Sequence, residues 1–131
     1  MYKYSKTDDV MNLNLFEFFE DPTEEDFEKF SNDFEILLNI EKPFLVIFDL
    51  KEIKSFNADF FYKFMIKIYE NKKKVEKYLL GSSVVIDKSF RKILKFCLSI
   101  KKPVSPNYVC SSLENSVEFL LGIYNMRNES S

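Results

Sequence analysis

Apolar residues change their spacing several times along this chain, and each change marks an element. The clearest signal is Phe44-Leu-Val-Ile-Phe48, preceded by Pro43 and closed by Asp49. A short run with no polar face predicts a strand covered on both sides. From Ala58 to Lys77 the spacing becomes helical. Phe60, Phe61, Phe64, Met65, Ile68 and Tyr69 share one face, and Lys63, Lys67, Glu70 and Lys74 take the other. Asn57 stands where an N-cap is needed, because its side-chain oxygen can accept from a first-turn amide.

The pattern then repeats. Ser83-Val-Val-Ile86 reads as a second covered strand, and Asp87 can cap the helix that follows. That helix sets Phe90, Ile93, Leu94, Cys97 and Leu98 against Arg91, Lys92 and Lys95, and must stop before Pro103. Asn107 to Cys110 is a short strand. Ser111 and Glu114 have capping-box spacing, and the helix they open buries Leu113, Val117, Leu120, Leu121 and Tyr124. Ahead of Pro43, Asn12 to Phe19 alternates as a strand does. Asp21-Pro22 offers a cap and an N1 proline for a helix reaching about Asn39.

The sum is an α/β fold, a single domain of about four β-α units. Its central sheet is mainly parallel, with helices packed on it. Residues 1–10 form an N-terminal segment, 11–124 the domain, and 125–131 a polar tail. The first strand could pair antiparallel at an edge.

Composition narrows the chemistry. The 131 residues suit one domain, and the 15 Phe and 7 Tyr are enough for a core. Histidine is absent, which removes Ser-His-Asp and Cys-His nucleophile systems and the common zinc sets. With only Gly81 and Gly122, neither a Walker-type loop nor a dinucleotide fingerprint can be built. No cofactor is therefore expected. Asp49 and Asp87 fall at strand ends, where ligands of parallel sheets gather, yet each also suits a turn or a cap. Asp8-Asp9 lies before the first strand, a poor fit to a receiver-type acidic cluster.

Two cysteines, Cys97 and Cys110, read as core thiols. No secretory signal opens the chain, and its apolar runs are too short to span a bilayer, so a cytoplasmic location is expected. Charge is divided: residues 1–42 carry 12 acids and 4 bases, a balance of −8 within a total of −2. The remaining positive charge includes Lys72-Lys-Lys74 and the stretch Lys88 to Lys95. Without interleaved exposed aromatics these groups do not predict nucleic-acid binding.

Three stretches resemble the STAS domains of anti-sigma-factor antagonists and anion transporters. They are Phe44-Leu-Val-Ile-Phe-Asp-Leu50 with Ile53, then Val84-Val-Ile with Phe90-Arg-Lys-Ile-Leu94, and Tyr108-Val-Cys-Ser-Ser-Leu-Glu114 through Phe119-Leu120. A looser likeness is to CRAL-TRIO lipid-transfer domains. In the antagonists an Asp-Ser-x-Gly motif opens the helix after the central strand, and its Ser is phosphorylated. Here those positions are Asn57, Ala58, Asp59 and Phe60, so the resemblance does not carry the phosphoswitch over. It does imply a non-enzymatic interaction module that meets another protein through Lys51, Lys54, Ser55, Asn57 and Asp59, with Ser82 and Ser83 beside them. The alternatives are a small lipid or apolar-ligand binder, suggested by the Phe-rich helix, and a structural homodimer.

Overall fold

The computed structural model describes residues 1–100 and 102–130. In chain order the elements are β1 (Tyr2–Asp8), β2 (Leu13–Phe18), α1 (Glu24–Ile40), β3 (Phe44–Asp49), α2 (Ala58–Glu70), α3 (Lys72–Tyr78), β4 (Leu79–Val85), α4 (Lys88–Ile100), β5 (Asn107–Cys110) and α5 (Leu113–Ser130). The sheet order is β1-β2-β3-β4-β5; β1 runs antiparallel to β2, and the other neighbours are parallel. The fold is α/β, with a mostly parallel sheet and five helices packed on it.

Chain order and handedness decide where the helices go. Parallel strands laid down in sequence through right-handed crossovers send every connecting helix to the same face. Accordingly α1 and α2 pack on Phe16, Phe18, Phe44, Val46 and Phe48, and α4 reaches Val84 and Ile86. After β5, α5 folds back across the opposite face onto Leu45, Ile47, Val85 and Cys110. Alternation along each strand divides the side chains between these two layers.

Local chemistry fixes the boundaries. Thr23, rather than Asp21, caps α1, in a capping box with Asp26: Asp26 N donates to Thr23 Oγ1 and Thr23 N to Asp26 Oδ2. Glu41 ends α1 in the left-handed region, at φ 59°. The expected helix from Ala58 to Lys77 breaks at Asn71, which closes α2 and opens α3, and whose side-chain amide donates to the Lys67 carbonyl. The cap of α5 sits one residue later than the sequence spacing implies. Ser112 Oγ accepts from Asn115 N, while Ser111 bonds to Arg91.

Two segments expected outside the domain belong to elements. Residues 2–8 form the edge strand β1, whose Tyr2 and Tyr4 hydroxyls donate to Asp33 and Asn14. Lys3 and Lys6 stand exposed beside the half-buried tyrosines, as a solvated edge strand often requires. Residues 125–130 continue α5, because a polar helix end needs no apolar stripe; position 131 lies outside the described residues.

Candidate functional site

The helix after β3 does not seal against the sheet. Of α2 only Met65 is fully buried; Phe60, Phe61, Phe64 and Ile68 are intermediate. The sheet floor beneath it is Phe48, Val84 and Ser82, so the floor narrows from an aromatic ring to a hydroxymethyl group. A helix spaced by phenylalanines over a floor that ends in serine leaves room. The result is a cavity of about 180 Å³, running beneath α2 from the β3–α2 loop to Val75, Leu79 and the Pro103–Ser105 loop.

The loop at one end is held by a single carboxylate. Asp21 Oδ1 accepts from Lys54 N at 2.8 Å and Ser55 N at 3.2 Å, and Asp21 Oδ2 accepts from Ser55 Oγ at 2.8 Å. These bonds, first the one from the Ser55 hydroxyl, hold the Asp21 carboxyl below its ordinary value. Ile53, 9% exposed, anchors the loop from inside. Asn57 caps α2 by accepting from Asp59 N and Phe60 N. Deeper in, Asn107 Nδ2 donates to Ser82 Oγ at 2.8 Å, placing a neutral polar pair in the cavity wall.

The seven expected contact residues therefore divide three ways. Ser55, Asn57 and Ser82 line the cavity. Lys51, Lys54 and Asp59 lie on the outside of the same loop and helix start, exposed. Lys51 is engaged there: its ammonium lies 2.9 Å from Asp49 Oδ2, and that bond raises the Lys51 pKa. Ser83 faces the other way. It is fully buried beneath α5, with its hydroxyl 3.0 Å from the Tyr108 carbonyl and 2.5 Å from Ser116 Oγ. Neighbours on a strand point to opposite faces, so Ser82 and Ser83 cannot serve one surface.

Other cavity residues escape the sequence pattern. Asp21 has the look of a helix cap, and Phe60, Phe61 and Phe64 that of plain core. A polar Asn107 opening an otherwise apolar strand is the available signal for the far wall.

Asp21 is the sole charged side chain among the described lining residues, and its oxygens are occupied by the loop. A phosphate on Ser55 would be set against that carboxylate, which opposes modification there. Among the described residues no group of three or more Cys, Asp or Glu side chains is placed to hold a metal ion. Nor, among them, is any helix long and apolar enough to cross a membrane. Comparison with family models, with curated proteins and with solved structures finds no match to this chain.

Proposed function

We propose that the chain is a non-enzymatic binding module that takes a small, uncharged, largely apolar molecule into the cavity beneath α2. One observation carries this reading: about 180 Å³ of space walled by phenylalanine and aliphatic side chains, with the Ser82–Asn107 pair in its wall. An apolar cavity of roughly 150 Å³ suffices for a benzene-sized guest. The fit is thus to one ring or a short chain bearing a single hydrogen-bonding group. Asp21 disfavours an anionic guest, and the absence of histidine leaves no near-neutral base to act on one.

Thermal unfolding in the presence of indole, hexanol or hexanoate tests the proposal. Indole and hexanol should raise Tm in a dose-dependent way, and hexanoate should not. A ligand at a hundredfold excess over its Kd stabilises by about 2.7 kcal/mol, well within detection. No shift with any neutral guest at millimolar concentration would end the proposal.

A second reading is the STAS-like module that recruits another protein through Lys51 to Asp59. Two observations favour it. The three resemblance-bearing strands lie side by side and parallel as β3, β4 and β5. Lys54, Asn57, Ala58 and Asp59 surround the start of α2, with Lys54, Ala58 and Asp59 exposed. Charge reversal at Lys54 and Asp59 should then abolish partner capture, and unchanged capture would remove the site. Both readings suit the cytoplasm, where the free thiols of Cys97 and Cys110 stay reduced.

A further inference from the structure

The helix face above the cavity carries a separate pattern. Phe60 and Phe64 of α2 meet Phe27 of α1, and Lys63 and Lys67 pair with Glu24 and Glu35, so that flank of α2 looks toward α1. The other flank carries Tyr62, Ile66 and Tyr69, and the Tyr69 hydroxyl donates to the Lys102 carbonyl, two residues past the end of α4. On α4, Leu94 is fully buried, whereas Ile93, Phe96 and Ile100 are 44%, 64% and 70% exposed. At 100° per residue these three fall within one arc of about 60°, and Lys88, Lys92 and Lys95 fall within the neighbouring arc, with Lys92 one turn before Phe96. Residues 88–102 hold six bases and no acid in a chain whose total charge is −2. The two acids of α2, Asp59 and Glu70, stand at its ends.

An exposed strip of Ile, Phe and Ile beside a row of lysines, on one helix, is the pattern of a helix that lies in a bilayer interface. Phe96 could stack on a base, but the two isoleucines that flank it cannot, so the strip as a whole favours lipid over nucleic acid as the occupant. We propose that the α2–α4 face docks on an anionic membrane surface, with Phe96, Ile93 and Ile100 entering the headgroup region and Lys88, Lys92, Lys95 and Lys102 against lipid phosphates. This does not depend on a ligand in the cavity.

The chain has no tryptophan, so Phe96→Trp supplies a single emitter at the strip. With the full chain, its emission should shift to the blue and the protein should co-sediment with vesicles of phosphatidylcholine and phosphatidylserine. Neither should happen with phosphatidylcholine alone, and added salt should reverse both. Lys92→Ala and Lys95→Ala should each weaken binding about fivefold. Ile93→Ser with Ile100→Ser, at exposed positions that leave the fold intact, should weaken it roughly tenfold or more. Val84→Phe, which fills the cavity, should leave vesicle binding unchanged and so separates this proposal from the ligand reading. Equal binding to neutral vesicles, or none to anionic ones, would overturn it. So would a doubled mass in solution with the introduced indole already emitting in the blue, or an RNA oligonucleotide held as tightly by the double serine variant as by the parent chain.

Discussion

Two halves of one sheet face are roofed by phenylalanine-rich helices, yet they pack differently. Under α1, the rings of Phe16, Phe18, Phe30, Phe34 and Phe44 are at most 2% exposed. Phe30 alone lies within 4.9–6.5 Å, centroid to centroid, of Phe16, Phe18, Phe27, Phe34, Phe48 and Phe64. Under α2 the helix supplies rings too, but they enclose space. The floor makes the difference. Below α1 it is Phe16, Phe18, Phe44 and Val46, which fill the gap from underneath; below α2 it falls from Phe48 to Val84 and Ser82. Ring content in a helix therefore predicts burial only when the facing strand supplies matching volume.

The comparison is broken most directly by removing one ring from each half. Phe30→Ala should cost about 3–5 kcal/mol in urea unfolding, since a fully buried ring leaves both a lost transfer energy and a void. Phe61→Ala removes a partly exposed ring that already borders empty space, and should cost under about 2 kcal/mol. Equal losses would mean that the two halves are packed alike.

Adding volume should split the halves by sign. Val46 and Val84 sit on the same face of adjacent strands, one among the α1 rings and one on the cavity floor. Val46→Phe should destabilise by about 1–3 kcal/mol through overpacking. Val84→Phe should stabilise by up to about 2 kcal/mol while abolishing any Tm shift from indole or hexanol. Two destabilised variants would show that no usable space lies beneath α2.

Much of this was legible in the residues. Phe44 to Phe48 and Ser83 to Ile86 announced covered strands because a buried parallel strand needs no polar face. Asn57 announced α2 because its side chain can do nothing better there than cap. The rest depends on partners far apart in sequence. The β1 strand is held by Tyr2 to Asp33 and Tyr4 to Asn14, bonds that no local pattern records. Asp21 looks like a helix cap until the fold brings Lys54 and Ser55 to it across more than thirty residues. The cavity was invisible for the same reason: spacing reports which side chains face inward, not whether they touch.

A subtler contrast divides the two serines of β4. Ser83 is enclosed beneath α5 and shares its hydroxyl with Ser116 and the Tyr108 carbonyl, with the Cys110 thiol beside them. Ser83→Ala leaves partners buried and short of a bond, and should cost about 1–2 kcal/mol. Ser82→Ala removes one acceptor for Asn107 in a wall that borders open space, and should cost less than the Ser83 change. Its larger effect should fall on the affinity for hexanol, whose hydroxyl loses a partner. If both variants lose the same stability and hexanol binds unchanged, the polar pair plays no part in recognition.

The smallest effect concerns the loop over the cavity, and its sign follows from Asp21. The Ser55 hydroxyl and the amides of Lys54 and Ser55 favour the ionised carboxylate, so its folded-state pKa lies below the unfolded value near 3.9. A depressed acid contributes stability that is fully present above the unfolded pKa and fades as pH falls through the folded one. Asp21 is exposed, so solvent screening keeps the contribution under about 1 kcal/mol. Amide exchange resolves what global unfolding would miss. At neutral pH, Lys54 and Ser55 should be protected; below about pH 4 that protection should fall ahead of the amides in β3. Asp21→Ala should remove it at every pH and speed guest exchange, with the α1 half undisturbed. If protection at Lys54 and Ser55 survives Asp21→Ala, burial of Ile53 alone holds the loop, and the carboxylate is incidental to the cavity mouth.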